Sequence, residues 1–335
     1  MQVYGIDLSM EKFDVNYLTS DGKEKNLIVK NAIKPIEKFL SSLPTDAIIC
    51  AEYTGIYGDL LVYLCNQLDI AISLVPGYTI RHSLGLVKGK TDSADARNIR
   101  EYGERFSDKL VYKTYDYEEI VELKELHTLR AQLVKLRKSL LTNESGRKKM
   151  PMQCISVHSH LQQVLLKIGQ EIEDIEEEIT TIIAINKPMT ENYELITSIT
   201  GIGPVIATDL IIKTGNFKTI DSARKAASYA GVCPFPNSSG KMVGKAKTSP
   251  FGDKKLKTLL YMGARAAVKH NKEYKLYYQR KELEGKPYFL IMNNVANKML
   301  RTVYSIIKSR VPYNENHLCY DPREKYVTSS EKKVA

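Results

Sequence analysis

Cysteine is scarce in this chain and nowhere paired. Cys50, Cys65, Cys154, Cys233 and Cys319 are odd in number, scattered along the sequence, and form no C-x-x-C. This argues against a disulfide framework and for reduced, mostly structural thiols in a cytosolic protein. Histidine offers no metal spacing either. His158 and His160 are two positions apart, which turns them to different faces of a helix, and no cysteine pair accompanies them. Zinc is therefore disfavoured. Long apolar runs are also missing: none reaches membrane-spanning length, and the N-terminus opens on a strand-like segment rather than a signal peptide. The expectation is a cytoplasmic protein with no membrane partner.

Positive charge is in excess. Lys and Arg exceed Asp and Glu by 49 to 39, giving a formal net charge of +10. A polyanion such as DNA or RNA is the simplest partner; a merely soluble basic protein is the alternative. At 335 residues the chain has room for two or three domains.

Four carboxylates stand in settings that suit a shared site. Asp7 ends the apolar run Val3-Tyr4-Gly5-Ile6-Asp7, and Glu52 ends Ala47-Ile48-Ile49-Cys50-Ala51-Glu52. Both runs read as strands that leave an acid at the tip. Asp92 and Asp95 are three apart in Lys90-Thr91-Asp92-Ser93-Ala94-Asp95-Ala96-Arg97, so a helix there puts both on one face. Two strand-end acids with a helical pair suggest an octahedral oxygen site for Mg²⁺ or Mn²⁺. When such sites hold two metals they cut or join phosphodiesters.

Residues 1–107 alternate strand-like and helix-like segments. Val3 to Asp7, Phe13 to Leu18 and Asn26 to Val29 read as an antiparallel meander, with Asp21-Gly22 as a turn. A helix over Ile33 to Leu43, the strand ending at Glu52, a helix from Tyr57 to Gln67 and a strand from Ile70 to Val75 follow. This order is that of the ribonuclease H fold, an α/β architecture whose first and fourth strands bring acids to one edge of the sheet.

Residues 108–188 change character. Leu126, Leu129, Leu133, Leu136 and Leu140 recur at helical spacing, and so do Val164, Ile168, Ile172, Ile175, Ile179 and Ile182. The reading is a coiled-coil middle of two long helices, packed as an antiparallel pair or between subunits. The acidic run Glu171 to Glu178 is a solvated face. Residues 189–312 read as mainly helical with one long irregular loop from Gly231 to Gly252, and 313–335 as a loosely held polar tail.

Two motifs there carry chemistry. Ile199-Thr200-Gly201-Ile202-Gly203-Pro204 is a helix-hairpin-helix pattern, in which Gly201 and Gly203 make a tight turn and backbone N–H groups can bind a phosphate. Its alternative is an ordinary turn between packed helices. Further on, Ser238-Ser239-Gly240 opens a basic stretch with eight Lys and Arg between Lys241 and Lys269 and a single acid, Asp253. Lys241, Lys245 and Lys247 are the candidate phosphate contacts. Taken alone, the serines are a flexible turn.

These motifs together resemble the DEDD transposases of insertion sequences, the "IS one-ten"/Piv family. The resemblance rests on Gly5-Ile6-Asp7 with Lys12-Phe13-Asp14-Val15, on Glu52-Tyr53-Thr54-Gly55-Ile56-Tyr57, and on Lys90 to Arg97. It continues through Ile199 to Gly203, Ala230-Gly231-Val232-Cys233-Pro234 and Ser239-Gly240, in the family's order and at similar spacings. It implies a RuvC-like domain joined through the coiled coil to a transposase domain with a nucleophilic serine. Asp7, Glu52, Asp92 and Asp95 would then be the catalytic metal-binding tetrad. Ser239, directly before the glycine, would be the nucleophile, with Ser238 as competitor. The implied function is DNA strand transfer through a phosphoserine intermediate, with Mg²⁺ or Mn²⁺. The implied partners are double-stranded donor and target DNA, a noncoding guide RNA, and further copies of the chain as a dimer or tetramer in the prokaryotic nucleoid. Two other readings stay open: a hydrolytic RuvC-like junction resolvase, and a non-catalytic nucleic-acid-binding protein.

Overall fold

A computed structural model of the chain describes residues 2–83, 85, 91–112, 118–147, 149–150, 154–239 and 242–315. The chain divides into two compact units, Met1–Asp116 and Tyr117–Ala335.

The first unit is a five-stranded mixed sheet. Strands β1 (Gln2–Leu8), β2 (Lys12–Leu18) and β3 (Glu24–Lys30) form the antiparallel meander; β4 (Ala47–Glu52) and β5 (Ala71–Val75) add in parallel on the other side of β1. The order β3-β2-β1-β4-β5 is the ribonuclease H arrangement expected from the sequence. Gly22 at φ +74° supplies the left-handed residue of the β2–β3 turn.

The alternation of β1 and β4 separates two cores. Tyr4, Ile6 and Leu8, with Ile49 and Ala51, face α1 (Ile33–Ser41) and α2 (Asp59–Gln67). Val3 and Cys50 face α3 (Gly77–Ser83) and α4 (Asp92–Arg105), packing with Val75, Ile80, Ile99 and Tyr102. Because the period is two, Asp7 shares the face of Val3, and Glu52 that of Cys50. Burial pushes the Cys50 and Cys65 thiols up to about 12, so both are inert packing groups at neutral pH.

The second unit is mostly helical. Helices α5 (Glu118–Arg147) and α6 (Ile155–Ile185) pack side by side. Arg130 bonds Glu176 at 2.6 Å, while Glu144 accepts from Gln162 at 2.8 Å, so the two run antiparallel. Ile168, Ile172, Ile175, Ile179 and Ile182 are buried, and the acids from Glu171 to Glu178 point to solvent. Among the described residues the expected seam is only partly buried: Leu126 and Leu133 pack against the core, whereas Leu129, Leu136 and Val164 are exposed. The inner ends of both helices share one core with α7 (Lys187–Thr197), α8 (Pro204–Thr214), α9 (Ala223–Tyr229), α10 (Lys254–His270), α11 (Lys272–Leu283) and α12 (Tyr288–Ser309).

Two segments of this unit differ from the sequence reading. The stretch read as an irregular loop carries an antiparallel hairpin, β6 (Pro234–Ser239) and β7 (Met242–Thr248). Its strands lack an apolar alternation because β6 is exposed throughout, and its register shifts around Pro236, which has no N–H to give to a ladder. The start of the tail is held rather than loose. Tyr313 N donates to Ser198 Oγ at 2.8 Å, and Asn271 Nδ2 donates to the Tyr313 hydroxyl at 3.0 Å and to Glu315 Oε1 at 3.2 Å. No helix among the described residues is long and apolar enough to cross a membrane.

Candidate active-site elements

The acid cluster is built by one close helix–sheet approach. A side chain at Gly5 would run into the Ala96 carbonyl and the Arg100 backbone; one at Gly103 would crowd Val3 and Cys50. These two glycines seat α4 directly on β1 and β4, running opposite to β1. Its first turn therefore comes down at the C-terminal end of β1, beside Asp7. Thr91 caps the helix by accepting from Ala94 N at 3.2 Å, and Asp92 and Asp95 occupy the first turn, where the helix dipole favours anions.

Polar contacts fix the rotation of α4. Arg97 Nε donates to Glu24 Oε1 on β3 at 2.6 Å. Arg100, buried, donates from Nε to Asn16 Oδ1 on β2 at 2.7 Å and from both of its bonds at Nη1 to Glu104. A buried arginine satisfied in this way is costly to disturb.

Asp7 lies opposite Asp14 in the β1–β2 register, and the pairing of Ile6 with Ala51 brings Glu52 alongside it. The electrostatics report the gathering. Burial, followed by repulsion from Asp95, Glu52, Asp92 and Asp14, raises the Asp7 carboxyl from its ordinary value of 3.8 to about 6. The structure thus brings the four expected acids into one electrostatic neighbourhood. Among the described residues, no three His, Cys, Asp or Glu side chains are drawn close enough to cage an ion as they stand. The donor set is nevertheless all oxygen, and its excess negative charge is the kind a divalent cation relieves.

Two neighbours of this cluster were not singled out in the sequence. Gly77 follows Pro76 at the start of α3, and the Glu52 carboxylate fills the space where a Gly77 side chain would be. Lys12 bridges Asp14 Oδ2 at 3.1 Å and Asp92 Oδ2 at 3.4 Å. Its hydrogen bond and attraction to Asp14, with a lesser contribution from Asp92, raise its own pKa. Lys12 and Asp14 lie within the segment Lys12-Phe13-Asp14-Val15, but only the folded register shows which acids they meet.

In the second unit, Ser239 pairs with Met242 and Ser238 with Val243; both serines are exposed. Lys247 is exposed opposite Phe235. Gly240 and Lys241 lie outside the described residues, as does the side chain of Lys245.

The root of this hairpin is closely fixed. Gly231, at φ +66°, and Gly252 touch through their backbones, and a Cβ on Gly252 would strike Gly231. Asp253 N donates to Tyr229 O at 2.7 Å, Lys213 Nζ meets Asp253 Oδ2 at 2.7 Å, and Asp253 Oδ1 caps α10 through Leu256 N at 2.8 Å. On the other side, the Val232 carbonyl accepts from Asn293 at 2.9 Å and Asn297 at 3.2 Å. The serines thus project on an exposed arm from a rigid base.

The helix-hairpin-helix glycines differ in role. Gly201, at φ +95°, packs against Gly263 and Ala267 of α10, so it serves both the turn and helix packing. Gly203 has extended backbone, caps α8 without a side chain and faces open space.

Comparison with known proteins adds a second line. Residues 4–144 match the IS110-type DEDD transposase domain, and residues 193–279 match the transposase IS116/IS110/IS902 family. The first stretch contains all four acids; the second contains both glycines and both serines. The chain is 24% identical over 325 residues to the pilin gene-inverting protein of Moraxella lacunata, covering 93% of this chain and 97% of that one. It is 27% identical over 211 residues to the transposase for insertion sequence element IS1111A of Coxiella burnetii, covering 55% and 56%. With a probable family 20 transposase of Pseudomonas aeruginosa it shares 23% over 339 residues, covering 92% and 97%.

Proposed function

The chain belongs to the IS116/IS110/IS902 family of transposases, and from that premise we propose that it cuts and rejoins DNA through Ser239, with Asp7, Glu52, Asp92 and Asp95 holding divalent cations. The observation that carries this reading is the seating of α4 over Gly5, which collects two helical acids beside two strand-end acids. Mg²⁺ or Mn²⁺ fits the hard oxygen donors; when bound, it would polarise a phosphodiester and stabilise the leaving oxygen.

The chain's own groups supply the rest. The acids must be ionised to bind the metal, so a divalent cation must compete with the proton that the raised Asp7 carboxyl holds. Ser239 Oγ attacks phosphorus and loses its proton, one P–O bond of the DNA breaks, and the departing hydroxyl is protonated. Attack by a DNA hydroxyl on the phosphoserine then releases the serine and restores a phosphodiester. Energy is conserved between the two steps, which hydrolysis by water would not allow. Exposure of β6 supports this use of the serine, since a duplex must reach it. Lys247 and the open start of α8 at Gly203 are the phosphate contacts that position DNA without reading bases. Oligomerisation and a noncoding guide RNA belong to the same reading.

The test is strand breakage of donor and target DNA by the protein co-expressed with its flanking noncoding RNA. Breakage should need Mg²⁺ or Mn²⁺ and disappear in Asp7→Asn, Glu52→Gln, Asp92→Asn and Asp95→Asn. Breakage that survives these four changes would refute the assignment.

A further inference from the structure

Lys12 holds an unusual position for a cation. It opens β2, and its ammonium is shared between Asp14 and Asp92, the latter one of the four acids assigned above to the metal. An ammonium and a hard divalent ion compete for the same carboxylate oxygens.

Magnitudes decide the outcome. The Lys12 and Asp92 side chains are 42% and 66% exposed. Ion pairs as open as this are weak, because both charges stay largely hydrated. Such a pair is enough to occupy Asp92 in the absence of other cations and too little to resist an ion of charge two. Asp14, only 14% exposed, is the more sheltered partner, and at 3.1 Å the nearer one. It retains Lys12 beside the site after Asp92 is released. Nor does the fold require Lys12 as a staple, because Arg97 and buried Arg100 already tie α4 to β3 and β2.

Five carboxylates surround this point: Asp7, Asp14, Glu52, Asp92 and Asp95. A phosphodiester approaching them meets strong repulsion, and among the described residues Lys12 is a cation bonded to two members of the group. With three N–H donors it can hold Asp14 and a phosphate oxygen together.

We propose that Lys12 is an exchangeable counter-ion of the acid cluster, which bridges Asp14 and Asp92, yields Asp92 to the incoming divalent cation, and then, still held by Asp14, contacts a non-bridging oxygen of the bound DNA. The proposal rests on the reading of the four acids as the metal site.

The test uses the full-length protein and two readouts: Mn²⁺ affinity by titration with electron paramagnetic resonance, and the gain in duplex DNA affinity on adding Mn²⁺. Lys12→Met should tighten Mn²⁺ binding about two- to five-fold and reduce the Mn²⁺-dependent gain in DNA affinity. Lys12→Arg should stay near wild type in both. Lys30→Met removes the same charge from the residue paired with Lys12 on β3 and should leave Mn²⁺ affinity unchanged. A purely structural lysine would not produce opposite changes in the two readouts. Weaker Mn²⁺ binding in Lys12→Met, or no change in either readout, overturns the proposal. Asp7→Asn and Asp92→Asn separate the two levels. If both bind Mn²⁺ like wild type, the metal-site reading fails and takes the Lys12 role with it. If they lose the metal while Lys12→Met changes nothing, the Lys12 role alone falls.

Discussion

At the scale of single residues, the site depends on what is left out as much as on what is present. Gly77 makes room for the Glu52 carboxylate, and the group it would displace is the flexible end of a side chain rather than backbone. Gly77→Ala should therefore leave the melting temperature close to wild type while weakening Mn²⁺ binding several-fold; equal loss of both would contradict the argument. Asp7 gives a pH prediction. Its folded pKa, about 6, lies above the ordinary 3.8, so the folded state holds its proton more tightly. Its contribution to stability is complete at low pH and is lost as pH rises through about 6. With chelator present, Asp7→Asn should match wild type near pH 4 and exceed it at pH 7. The size is on the order of 1 kcal/mol after discounting for partial exposure, measured by denaturant titration. A less stable Asn variant at pH 7 would refute the repulsion. The acids themselves were legible in the sequence because each ends an apolar run or sits at helical spacing. Lys12 and Gly77 were not, because their roles depend on strand register and on the turn after β5.

At the scale of elements, the decisive contact is α4 on β1. Gly5→Ala would force backbone apart, costing about 1–3 kcal/mol by the usual penalty for overpacking, and would lift Asp92 and Asp95 away from Asp7. Thermal melts should show the loss, and the Asp7 carboxyl, titrated by NMR, should fall toward its ordinary value. An unmoved Asp7 would mean that α4 does not gather the acids. The strands of the first unit were legible because their apolar alternation is regular. The β6–β7 hairpin was not: β6 is exposed along its whole length, so it has no burial pattern for a sequence to display. Residues 313–315 were misread for a similar reason, since hydrogen bonds to Ser198 and Asn271 hold Tyr313 and Glu315 rather than a periodic apolar face.

At the scale of the whole molecule, the net charge of +10 is the electrostatic footprint of a polyanion partner, and the proposed function makes that partner duplex DNA. Lys247→Ala should weaken binding to all duplex sequences alike and reduce the slope of log affinity against log salt by about one. A sequence-selective loss would make Lys247 a base reader instead. Among the described residues, Leu129, Leu136 and Val164 of the heptad pattern stay exposed while Leu126 and Leu133 pack on the core, so helical spacing marked the seam more broadly than the fold buries it.

If strand transfer uses Ser239 as nucleophile and the four carboxylates as metal ligands, it passes through a covalent protein–DNA link. The most direct measurement is a denaturing gel of protein, noncoding flanks, donor and target DNA with Mg²⁺, comparing wild type, Ser238→Ala and Ser239→Ala. Wild type and Ser238→Ala should give a covalent protein–DNA adduct that is absent from Ser239→Ala. Cleaved DNA with no adduct in any of the three would contradict this route and make the chain a hydrolytic nuclease.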